Sequence, residues 1–156
     1  MKKWIILVIL FLVIAAAAGG AVYSKAVQPK KTAYHKAEVA AKDHGLKAVD
    51  SFYLYYGTST YYIASGKDSK GVKRILWIPE KGKRVVEQKD SAGVSKESII
   101  SKVNKELHPD DILSVKLGME NNVPLWEVVY KSGSSRLNYE YFDFNTGDWL
   151  KYYRSI

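Results

Sequence analysis

Three histidines, His35, His44 and His108, are the side chains best suited to holding a metal, and their spacing argues against it. A helical metal site needs two ligands three or four residues apart on one face, whereas His35 and His44 lie nine apart with no Glu-His pairing between them. Each reads instead as a surface or helix-terminal histidine. Cysteine is absent, which removes disulfides, thiol nucleophiles and Cys-based metal sites together. Asp110-Asp111 follows Pro109 and reads as a solvated loop, because general acid-base work needs two carboxylates facing each other with separated pKa values. Asp143 stands just before the Gly147 turn, where its carboxylate organises a hairpin through an Asx-type hydrogen bond. Serine and threonine are plentiful, yet neither GxSxG nor SxxK occurs. The chain is therefore read as a non-enzyme with no catalytic residue, no cofactor and no metal.

Binding chemistry is better represented. Between Lys67 and Lys89 eight basic side chains stand against Asp68, Glu80 and Glu87. Their plainest role is a solvated hairpin face, since Lys discourages strand edges from pairing. The functional alternative is a polyanion-binding patch of Lys73, Arg74, Lys81, Lys83 and Arg84. Phe52-Tyr53-Leu54-Tyr55-Tyr56 with Tyr61-Tyr62 offers either a peptide-binding platform or, more simply, core and sheet surface.

These residues must be positioned by short elements. Thr32 to His44 has Ala33, Ala37, Ala40 and Ala41 at helical spacing, closed by Gly45. Strands are predicted at Val49–Tyr56, Thr60–Ser65, Val72–Ile78 and Arg84–Gln88, separated by Gly57, Gly66, Gly71 and Pro79 to Gly82. Lys89 to Gly93 is a polar boundary. The pattern then restarts: Ser95 caps a helix whose apolar stripe is Ile99, Ile100, Val103 and Leu107, and Pro109 stops it at His108. Further strands are predicted at Ile112–Met119, Leu125–Tyr130, Arg136–Phe144 and Trp149–Tyr153.

At an offset of 64, Val39 falls on Val103, His44 on His108, Tyr62 on Trp126 and Trp77 on Tyr141. One inserted residue then brings Gly82 onto Gly147. This predicts a duplicated module of about 60 residues, a size at which a single core is marginal, so that the two copies should pack together.

Ahead of the modules, Trp4 to Val22 carries no charge and as a helix would reach roughly 28 Å, the thickness of a bilayer core. It is read as a transmembrane signal-anchor, although Ala15 to Ala21 would also suit a cleavage region. The net charge is +8, and setting aside Lys2 and Lys3 leaves 22 basic against 16 acidic side chains, a surface suited to anionic neighbours. The organisation expected is a cytoplasmic head at 1–3, an anchor at 4–22, a linker at 23–31, and modules at 32–90 and 91–156. This places a single-pass protein in the cell membrane with its C-terminal domain extracytoplasmic. Its expected partners are the membrane, a protein or peptide at the cell surface, and anionic wall polymer, with no nucleic acid.

Pro124-Leu125-Trp126-Glu127-Val128-Val129-Tyr130, followed by Tyr141-Phe142-Asp143-Phe144-Asn145-Thr146-Gly147-Asp148-Trp149-Leu150, resembles the PepSY domain. The whole arrangement, one anchor and two modules, resembles the YpmB-type membrane-anchored proteins with tandem cystatin-like modules. The likeness lies mainly in the second half; in the first, Pro79 stands where the second has Asp143. It implies an α+β fold in which each module packs a helix on an antiparallel sheet. It also implies an exported domain that restrains peptidases or regulates events at the cell surface, and it supplies no catalytic residue.

Overall fold

The computed structural model describes residues 34–82, 84–133 and 136–154. The chain divides into two units, Met1–Lys36 and Ala37–Ile156, and of the first only residues 34–36 are described. The described elements are, in order, a helix α1 over 34–43, strands β1 (Leu46–Tyr56), β2 (Thr60–Asp68), β3 (Lys73–Pro79) and β4 (Val86–Lys89), and a 3-10 turn at Asp90–Ala92. Helix α2 (Lys96–Leu107) and strands β5 (Asp111–Glu120), β6 (Val123–Ser132), β7 (Arg136–Asp143) and β8 (Trp149–Tyr153) follow. The strands form two antiparallel four-stranded meanders, β1-β2-β3-β4 and β5-β6-β7-β8, and the fold is α+β with two modules. The predicted anchor, Trp4–Val22, lies outside the described residues. Among the described residues no helix is long and apolar enough to cross a membrane.

Local chemistry explains the element ends. Ser95 Oγ accepts a hydrogen bond from Ser98 N at 3.1 Å and so caps α2, while His108 ends the helix in the left-handed region at φ 48°, ahead of Pro109. Asn121 and Asn122, both at positive φ, turn β5 tightly into β6.

Two expectations need correction. Gly66 does not separate strands but lies inside β2, which runs on to Asp68. A Cβ at Gly66 would stand 2.0 Å from the Ala48 carbonyl oxygen, where irregular pairing brings β1 unusually close. The proper turn is made two residues later, with Asp68 Oδ1 accepting from Lys70 N and Val72 N at 2.8 and 3.0 Å. The second correction concerns the repeat. Val103 is fully buried but Val39 is 44% exposed, and the buried pair of α1 is Ala37 and Ala41. The helices thus correspond at an offset of 62, matching Ala37 to Ile99 and Ala41 to Val103, two residues away from the offset read across the strands.

Alternation along the strands distributes the core. Tyr61, Ile63, Ile75 and Trp77 share one face of the first sheet and join a single cluster with Ile99, Val103, Met119, Leu125, Trp126, Val128, Phe142 and Phe144 of the second module. Trp77 meets Phe144 edge-on, with ring centroids 5.3 Å apart. Tyr62, Ala64, Leu76 and Ile78 are buried on the opposite face. That is the side of α1, since His44 just past its end bonds Glu87, which is registered against Leu76. In the second sheet α2 covers the face of Trp126 and Phe142: Trp126 Nε1 donates to Val94 O at 2.8 Å, and Lys102 Nζ sits 5.7 Å from the Phe142 ring.

Candidate functional site

The basic patch predicted between Lys67 and Lys89 is divided by the fold. Arg74 Nε donates to Asp68 at 2.8 Å and its Nη1 to Glu87 at 2.6 Å, so this guanidinium is spent on β2 and β4. The Arg74 hydrogen bond holds the Asp68 carboxyl below its ordinary value, against a smaller opposing effect of burial. Lys73 reaches Asp90 at 3.4 Å. Lys81 and Arg84 are exposed and take part in no ion pair among the described residues, whereas Lys83 lies outside them. Of the five predicted residues, Arg74 thus staples its own sheet, Lys73 is half exposed beside Asp90 of the 3-10 turn, and Lys81 and Arg84 face solvent.

Where the modules meet, a cleft of about 390 Å³ opens between the first sheet, the segment Asp90–Glu97 and the second sheet. It is lined by the apolar side chains of Val115, Trp126 and Phe144 and by the polar ones of Ser51, Ser65, Lys96 and Glu97. Ser51 and Ser65 share a hydrogen bond at 2.8 Å across β1 and β2. Tyr53 Oη accepts from Leu117 N at 2.7 Å, so a β1 side chain satisfies a main-chain donor on the edge strand of the other sheet. Burial pushes the Tyr53 hydroxyl well above its ordinary pKa and keeps it neutral. Tyr53, Tyr55 and Tyr61 of the predicted platform therefore face the other module, while Phe52 stacks on Tyr62 with centroids 6.1 Å apart on the far side. Tyr56 alone of this run is fully open, at 75% exposure.

Two acidic clusters escaped sequence reasoning. Glu140 in the middle of β7 is completely buried, and its carboxylate is met by Arg154 Nε at 2.6 Å, Trp149 Nε1 at 2.9 Å and Tyr130 Oη at 3.3 Å. Strand parity carried the signal, because Glu140 sits two residues before the inward-facing Phe142. Across the opposite face of the same sheet, Lys116, Glu127, Tyr141 and Lys151 form one registered row. Glu120 bonds Lys151 and accepts from Tyr55 Oη at 3.2 Å. Burial raises the Glu127 carboxyl above its ordinary value, with the Tyr141 hydrogen bond and Lys116 opposing. These contacts tie β1, β5, β6, β7 and β8 together, and neither Glu120 nor Glu127 lines the inter-module cleft.

The histidines do not converge. His44 bonds Glu87 at 3.1 Å and His108 caps α2, and among the described residues no group of three metal-ligating side chains is assembled. Asp143 does what its position predicts: its Oδ1 accepts from Asn145 N and Thr146 N at 2.7 and 2.9 Å, and Gly147 turns the chain at φ 74°.

Comparison with known proteins places this architecture. The cell wall elongation regulator TseB-like domain family matches residues 36–79, in the first module, whereas the residues that carry the PepSY resemblance lie mainly in the second. No curated protein sequence matches. Among solved structures the YpmB protein from Bacillus subtilis is similar, at 31% identity and a TM-score of 0.68, over 77% of this chain and 96% of that one. With two helix-plus-meander modules, a shared core and that likeness over nearly the full length of the solved chain, the protein belongs to the YpmB-type family of PepSY-like proteins.

Proposed function

We propose that this is a membrane-anchored, extracytoplasmic interaction protein without catalytic activity, which binds or regulates a peptidase or other protein at the cell surface through its two modules. The observation that carries this reading is the match of the first module to a family described as regulating cell wall elongation, together with the likeness to YpmB. The uncharged run Trp4–Val22, long enough to span a bilayer core, supports anchoring. Added protease on intact cells should degrade the domain while sparing cytoplasmic markers. Protection until the cells are lysed would overturn the placement.

A second reading is favoured by one observation, that Lys81 and Arg84 are exposed and form no ion pair among the described residues. They would dock anionic wall polymer or lipid headgroups beside the turn between β3 and β4, while of the other predicted residues Arg74 is held by Asp68 and Glu87, Lys73 lies near Asp90 and Lys83 is outside the described residues. Binding to vesicles containing about 30% anionic lipid should then fall steeply with salt and with Lys81→Glu plus Arg84→Glu. Binding indifferent to both would remove this reading.

A further inference from the structure

β8 is the outer strand of the second sheet, bonded to β7 on one side only. Four of its five residues are large hydrophobics left exposed: Trp149 at 42%, Leu150 at 45%, Tyr152 at 60% and Tyr153 at 51%. An apolar edge with open main-chain donors and acceptors invites another strand, and proteins usually guard such edges with projecting lysines or proline. Here the guards are withdrawn. Lys151, the central residue of the strand, folds back to Glu120 and lies over the rings of Tyr141 and Tyr153 at 4.4 and 5.3 Å. Arg154 turns inward to Glu140 at 2.6 Å and stacks on Tyr152 at 4.4 Å. A bulge lies between Tyr141 and Phe142, but Lys151, Tyr152 and Tyr153 stay in regular register with Tyr141, Glu140 and Tyr139.

Charge selects the occupant. In each ion pair the cation is the outer member: Lys151 is 32% exposed above Glu120 at 15%, and Arg154 is 43% exposed above Glu140 at 0%. Lys102 adds a third cation, 5.0 Å from the Trp149 ring. The apolar strip is thus bordered by three cations, two of them above their buried or half-buried carboxylates, with the exposed Asp148 as the acidic residue at its start. A second copy would bring the same three cations to the junction, on a chain whose net charge is already +8. We propose that the β8 edge is a docking strand for an extended, acid-bearing segment of a partner protein. The segment adds to the sheet by main-chain hydrogen bonds, sets apolar side chains against Trp149, Tyr152 and Tyr153, and places its carboxylates near Lys102, Lys151 and Arg154. This deepens the interaction reading and rests on it, but not on the membrane placement.

The test uses the full chain in detergent micelles and a capped, fluorescent peptide, Glu-Val-Thr-Val-Thr-Val-Glu. Anisotropy should show binding that weakens about ten-fold or more when alternate peptide nitrogens are methylated, and similarly when both glutamates are replaced by lysine. Leu150→Lys, a substitution at an exposed site whose fold is checked by circular dichroism, should weaken it to the same degree, while Lys81→Glu should not. Amide resonances of residues 149–153 should shift on titration. Absence of binding, equal binding of the methylated peptide, or self-association of the chain that Leu150→Lys abolishes would each overturn the proposal. Failure here alongside a specific cell-surface crosslink elsewhere on the domain would overturn the β8 site and leave the broader reading intact.

Discussion

Asp143 secures the last hairpin by accepting two main-chain hydrogen bonds, and its removal should cost about 1–2 kcal/mol, with Asp143→Asn recovering most of the loss. Urea midpoints of Asp143→Ala and Asp143→Asn check this. Glu127 has the opposite character. Burial raises its carboxyl in the folded chain, so the folded state holds the proton more tightly than the unfolded chain does. Its contribution to stability is therefore lost as pH rises through the ordinary carboxylate range to the raised folded value. Glu127→Gln should be at least as stable as the parent at neutral pH, and that advantage should shrink on acidification; melts at neutral and acid pH measure both. Asp143 was legible in the sequence because its bonds close within three residues. The Glu140 cluster was not, because Tyr130, Trp149 and Arg154 reach it from other strands or beyond them and only the pairing register brings them together.

At the level of elements, α2 was legible from Ser95 at one end and His108-Pro109 at the other, since both signals act locally. His108 holds a left-handed conformation at φ 48°, which costs a side chain more than it costs glycine. His108→Gly should stabilise by about 0.5–1 kcal/mol, raising the melting temperature by a few degrees. The length of β2 was not legible. Gly66 reads as a break in one dimension, and only the passage of Ala48 directly against it shows why glycine is needed inside the strand. Gly66→Ala should accordingly destabilise far more than an alanine at an ordinary strand position. The basic hairpin illustrates the same limit: composition gave a cationic stretch, whereas the register of β2, β3 and β4 decided that Arg74 is spent on Asp68 and Glu87.

Taken whole, the domain is two similar modules that share one core, so the repeat should unfold as a unit. Trp77 is buried in the first sheet and meets Phe144 of the second module, and Trp77→Ala should cost about 3–5 kcal/mol while leaving a single cooperative transition. Native-like resonances persisting in the second module while the first unfolds would contradict a shared core. The fold class and the doubling were visible in the alternation of helix and strand patterns, but the shared core rests on which face each strand presents. If the domain works by interaction, a partner sits on the surface left over, above all the β8 edge. The most direct test places a photo-crosslinking side chain at Tyr152, and a control at Lys81, in the full chain on intact cells. A partner on the β8 edge gives a discrete protein adduct from position 152 that is lost with Leu150→Lys. No adduct at 152, or adducts with lipid or wall polymer alone, would contradict it.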